Sequence, residues 1–137
     1  PVAEVMMVER DLRLVALMQR QAALKDKATD RLIYLVQRPG LPMERVDFVL
    51  QTLLETRARS PENDLPRLLV QGLRGGSLDG RTRVNDALGF LSTACTTAGE
   101  PSLREWKPTE RDSSTTLEEK INAWSRYWTD VCPPRAA

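Results

Sequence analysis

The chain has 137 residues, 41% hydrophobic and 28% charged, and its 20 basic and 19 acidic side chains leave a net charge of +1. One globular domain of this size buries roughly two thirds of its unfolded surface without disulfides or metals, and the balanced charge removes the whole-protein positive field of an ordinary nucleic-acid binder. With no histidine and two cysteines that form no CxxC, the usual zinc ligand sets and His-based nucleophilic triads are excluded, and no apolar run is long enough to span a bilayer.

Val2 to Leu24 is rich in Met, Leu, Ala, Glu, Gln and Arg, which favour helix. Val5, Val8, Leu12 and Val15 form one stripe and Leu14, Leu17, Met18 and Leu24 its neighbour, predicting a first helix with a broad buried face. Glu4, Glu9 and Asp11 within it break the basic-then-apolar order of a secretory signal. The polar run Lys25 to Asp30 offers Asp26 or Thr29 as the cap of a second helix carrying Leu32, Ile33, Leu35 and Val36. No Gly or Pro separates these two helices, so they also fit one long rod, and residues 32–36 are the one stretch compatible with a strand. Pro39, Gly40 and Pro42 end whatever precedes them.

Pro42 to Thr56 carries the clearest helical stripe, Val46, Val49, Leu50, Leu53 and Leu54, and is expected to be the central core helix. Phe48 falls far around that helix from Val46, Leu50 and Leu53, between Asp47, Gln51 and Glu55, the setting of an exposed apolar contact with a polar rim. The same register returns at Leu65, Leu68, Leu69 and Leu73 and again at Val84, Ala87, Leu88 and Leu91, so that Val46, Leu65 and Val84 stand nineteen positions apart. Between these stripes, Ser60 to Asp64 supplies cap residues and Pro66 occupies a first turn. Gly75-Gly76 stops the helix before Ser77 or Asp79 opens the next, which continues through Ala94, Cys95 and Ala98 to Gly99.

From Glu100 to Thr116 the periodicity is lost, predicting a linker or binding loop. A last helix, capped by Ser114, Thr115 or Thr116, then places Leu117, Ile121, Trp124 and Trp128 on one face with Tyr127 beside them, until Pro133-Pro134 ends it. The expected fold is all-α: a single-domain helical bundle, or a short helical array, of about five to six helices. Residues 1–99 are its core, 100–116 the linker and 117–132 a helix docking on that core. The nineteen-residue period is similar to that of HEAT and armadillo arrays, though any run of amphipathic helices with short loops produces it.

The chemistry is sparse. Leu73-Arg74-Gly75-Gly76-Ser77 lacks the Lys and the spacing of a phosphate loop, and the carboxylates lie at caps or on mixed-sign faces. No cofactor and no metal site is expected, and the chain reads as a non-enzyme. Four of its seven aromatic residues, Trp106, Trp124, Tyr127 and Trp128, fall in the last 32 positions. Such side chains anchor interfaces or dock a helix on its own domain. Arg67, Arg74, Arg81 and Arg83, around the Gly75 turn, are the phosphate-binding candidates, without interleaved aromatics on which bases would stack. The leading expectation is a protein–protein interaction module, a scaffold, adaptor or effector- or viral-type binding or self-assembly domain, whose partner is another protein or further copies of itself. A helical nucleic-acid-binding protein is the alternative. Two cysteines far apart in the sequence, with Cys95 read as a small buried residue, suit a reducing and hence intracellular, cytoplasmic setting.

Overall fold

The structure is a computed structural model that describes residues 10–11, 25–38, 43–54, 64–75, 77–94 and 101–133. Within those residues the fold is all-α, with no strand. The helices are α1 (Lys25–Gln37), α2 (Met43–Leu54), α3 (Leu65–Leu69), α4 (Leu78–Leu91), α5 (Pro101–Glu105) and α6 (Ser114–Arg126). A 3-10 turn, Val70–Leu73, continues α3; another, Ser92–Ala94, follows α4; and a π-turn, Tyr127–Val131, prolongs α6.

Residues 32–36 lie inside α1, so the strand alternative fails, and Asp26 and Thr29 are helix-interior positions and not caps. The expected first helix, the question of its continuity with α1, and Cys95 lie outside the described residues, except that Asp11 reaches Arg31 at 3.6 Å.

The central element is α4 and not α2: α4 packs against α1, α2, α3, α5 and the Val70–Leu73 turn. The reason lies in its sequence. Val84, Ala87, Leu88 and Leu91 are all buried, as expected, but so are Gly80 and Gly89. Without side chains at those two positions, neighbours approach the helix outside its apolar stripe. A Cβ on Gly80 would lie 3.1 Å from Gln37 Cδ, and one on Gly89 3.1 Å from Arg104 Cγ. At its start, Ser77 Oγ accepts from the Gly80 N–H at 3.0 Å, satisfying one donor that the first turn leaves free.

Val46, Leu65 and Val84 are all buried, but their helices are 12, 5 and 14 residues long, which is not a uniform repeat. The middle one tightens to 3-10 after Leu69, and this turn carries Gly72 against α1 and α4. A Cβ on Gly72 would stand 2.9 Å from Val84 Cγ2 and 3.1 Å from Ile33 Cγ2, while the Gly72 carbonyl accepts from Gln37 Nε2 at 2.9 Å. Pro66 sits in the first turn of α3 as expected; Asp64 occupies the cap position, but its side chain makes no capping bond.

Within residues 101–116 only part of the chain meets the core, and most of its described residues are exposed. Leu103 and Pro108 are buried, and the Asn85 amide on α4 donates to the carbonyls of Leu103 and Trp106, both at 3.1 Å. The cap of α6 is Ser113, one residue before the expected set, with its hydroxyl accepting from the Thr116 N–H at 3.1 Å.

Candidate functional site

The aromatic cluster of α6 and the π-turn is interior. Trp124 and Trp128 are fully buried and Tyr127 is 3% exposed. Trp128 stacks on Trp124 with centroids 6.1 Å apart, and Tyr127 meets both rings edge-on. Their polar atoms turn inward too: Trp124 Nε1 donates to Asn85 Oδ1 at 2.9 Å, and the Tyr127 hydroxyl to the Ser92 carbonyl at 3.1 Å. Rings covered in this way have no surface to offer, so as partner-binding residues Trp124, Tyr127 and Trp128 are replaced by the internal-docking reading. Trp106 is half-buried against the core, with Lys120 Nζ 5.7 Å from its ring centre. Phe48 belongs to α2 by its backbone, and its side chain lies outside the described residues.

The four candidate phosphate-binding arginines do not form one free cluster. Arg74 pairs with Glu118 of α6 at 3.2 Å, a half-exposed pair worth about 0 to 1 kcal/mol. Arg83 donates from Nε to the Val36 carbonyl at 3.0 Å, satisfying the last turn of α1. Arg67 and Arg81 are half-buried.

Arg83 also faces an acidic group that the sequence did not single out. Burial pushes the Asp47 carboxyl up to about 6 from 3.8, helped by the charges of Asp86 and Glu44 and opposed by Arg83. Its Oδ1 is buried without a hydrogen-bond partner. Because the folded value lies above the unfolded one, the stabilising contribution is complete below pH 4 and is lost as pH rises through about 6. Discounted for a half-exposed group, the loss is about 1 kcal/mol. Asp47→Asn is expected to match wild type at pH 4 and exceed its stability by about that amount at pH 7.5, as urea unfolding at the two pH values would report. An equal difference at both pH values would remove the titration from the account.

The outer face of α1 carries the most exposed large apolar side chain among the described residues. Tyr34 is 55% exposed, and the Arg31 guanidinium lies 5.0 Å above its ring centre. The same arginine reaches Asp11 at 3.6 Å with half of its side chain still open to solvent. The helix presents this pair because its other side is committed: Leu35 and Val36 are fully buried, and Gln37 is bonded to Gly72. Phe90 and Val131, the other exposed large apolar residues, stand on different elements. Tyr34 is not among the residues that periodicity or aromatic clustering singles out. Its signal was an aromatic residue one turn from an arginine, off the Leu32, Leu35 and Val36 stripe.

Among the described residues no cluster of three or more Cys, Asp and Glu side chains could hold a metal ion, and no helix is long and apolar enough to cross a membrane. Cys132 is disulfide-bonded, which takes away the ground for expecting a reducing compartment. The chain matches no protein-family model, and neither a curated protein nor a solved structure is similar to it.

Proposed function

We propose that the protein is a non-catalytic interaction module that holds another protein through the Arg31–Tyr34 face of α1. The observation that carries this reading is the exposed tyrosine braced by a guanidinium on a helix fixed from behind. Tyr and Arg are the residue types over-represented among energetic anchors of interfaces, since each combines a large contact area with directional polar groups. Among the described residues the three exposed large apolar side chains lie on three separate elements, and the Arg31–Tyr34 pair has the composition of a small contact with a polar rim. The nucleic-acid alternative draws less support, because Arg74 and Arg83 already serve Glu118 and the end of α1.

The test compares wild type with Tyr34→Ala and Arg31→Ala by cross-linked capture and by sedimentation, with and without nuclease, at low and high salt. Each variant is expected to keep its stability within about 0.5 kcal/mol and to weaken capture roughly tenfold or more. Capture that is abolished by nuclease and falls steeply with salt would favour the nucleic-acid alternative. Loss of self-association without loss of capture would make a second copy the occupant. Unchanged capture and unchanged sedimentation in both variants would remove α1 from the binding surface.

A further inference from the structure

Cys132 ends the π-turn, 3% exposed, with its N–H donating to the Tyr127 carbonyl at 2.8 Å and its sulfur in a disulfide. It directly follows the segment whose Tyr127 and Trp128 rings fill the core. We propose that this bond is an intrachain staple to Cys95, the only other cysteine of the sequence, and that the protein matures in a compartment where thiols are oxidised. The two cysteines are 37 positions apart, unlike the adjacent pair of a catalytic dithiol, and Cys132 is enclosed. Both features mark a structural bond and not a redox-active one. Structural disulfides of this kind persist where glutathione and thioredoxin do not keep thiols reduced. The intervening stretch holds α5 and α6, so the staple shortens the excursions of that stretch in the unfolded chain and secures the end of the helix that seals the core.

Formation requires a disulfide oxidant, protein or low-molecular-weight. One cysteine thiolate attacks it and forms a mixed disulfide, and the second thiolate displaces the oxidant. Two electrons pass to the oxidant disulfide, whose two sulfurs leave as thiols carrying the two protons that the cysteines lose.

The test produces the full chain in two ways, exported to an oxidising compartment and retained in a reducing cytosol, and alkylates each in denaturant without reductant before measuring intact mass. The exported chain is expected to take up no alkyl group, to be monomeric without reductant, and to weigh about 2 Da less than its reduced form. The cytosolic chain is expected to take up two groups and, before alkylation, to melt roughly 10 °C lower. A Cys95→Ser, Cys132→Ser double variant should melt with the cytosolic form whichever way it is made. Free thiols or disulfide-linked dimers in the exported chain would overturn the staple. A bond already complete in the cytosolic chain would overturn the compartment, and equal melting of all forms would overturn the structural role.

Discussion

Trp128→Ala is expected to cost on the order of 3 to 5 kcal/mol, because it empties a fully enclosed site whose walls are other rings. The indole is stacked on Trp124 and met edge-on by Tyr127 at 4.9 Å. The cost lies in the upper range to the extent that these packed rings do not relax into the space. The loss is a large part of the roughly 5 to 15 kcal/mol that holds a domain folded. The denaturation midpoint should therefore fall by about 10 °C or more. A midpoint that hardly moves, with partner capture lost, would return Trp128 to an interface role.

The second large effect comes from a polar residue. Asn85 is 1% exposed and spends its amide on three partners: the carbonyls of Leu103 and Trp106 and the indole N–H of Trp124. Asn85→Ala removes about 50 Å³ of side chain or less, a small cavity term. It also leaves the Leu103 carbonyl and the Trp124 indole N–H buried without partners, each costing about 1 to 3 kcal/mol, while the half-buried Trp106 carbonyl can turn to water. A total of about 3 to 4 kcal/mol is expected. Asn85→Asp tests the same point from the other side: the carboxylate can still accept from Trp124 but cannot donate to the two carbonyls, so it too should destabilise at neutral pH. Stability of either variant within about 1 kcal/mol of wild type would mean that the three groups find other partners.

The α4 stripe and Ser77 were legible because local periodicity and cap chemistry specify them, and every stripe residue from Val84 to Leu91 is buried. The centrality of α4 was not legible. It depends on Gly80 and Gly89 admitting neighbours, and a glycine inside a helix ordinarily reads as a weakness in that helix. The segment after Glu100 reads as a linker or binding loop because its ties to the core, buried Leu103 and Pro108 and the Asn85 amide reaching 18 and 21 residues along the chain, leave no periodic trace. Sequence left the role of the C-terminal rings open, since a buried and an interfacial tryptophan have the same spacing; only their burial distinguishes the two. Of the arginines, Arg83 was visible as a charge but not as a cap for α1, and Asp47 looked like part of a solvated rim until Asp86 and Arg83 were placed beside it. The separation between Cys95 and Cys132 carries no pairing rule.

The contact at Gly72 bears on how a partner would be met. There α1 and α4 touch across bare backbone, with Ile33 and Val84 pressing on the same α-carbon and Gln37 tied to its carbonyl. Side chains can change rotamer to let two helices slide, but a peptide unit has no such freedom. Rolling α1 about its own axis therefore breaks the seat at Gly72 instead of merely rearranging it. Tyr34 thus stands on a helix with little rotational slack, and a ligand docking there would not have to immobilise it first. If that face binds a partner as proposed, the ordering cost falls on the partner, so stiffening the partner, and not this protein, is expected to tighten binding.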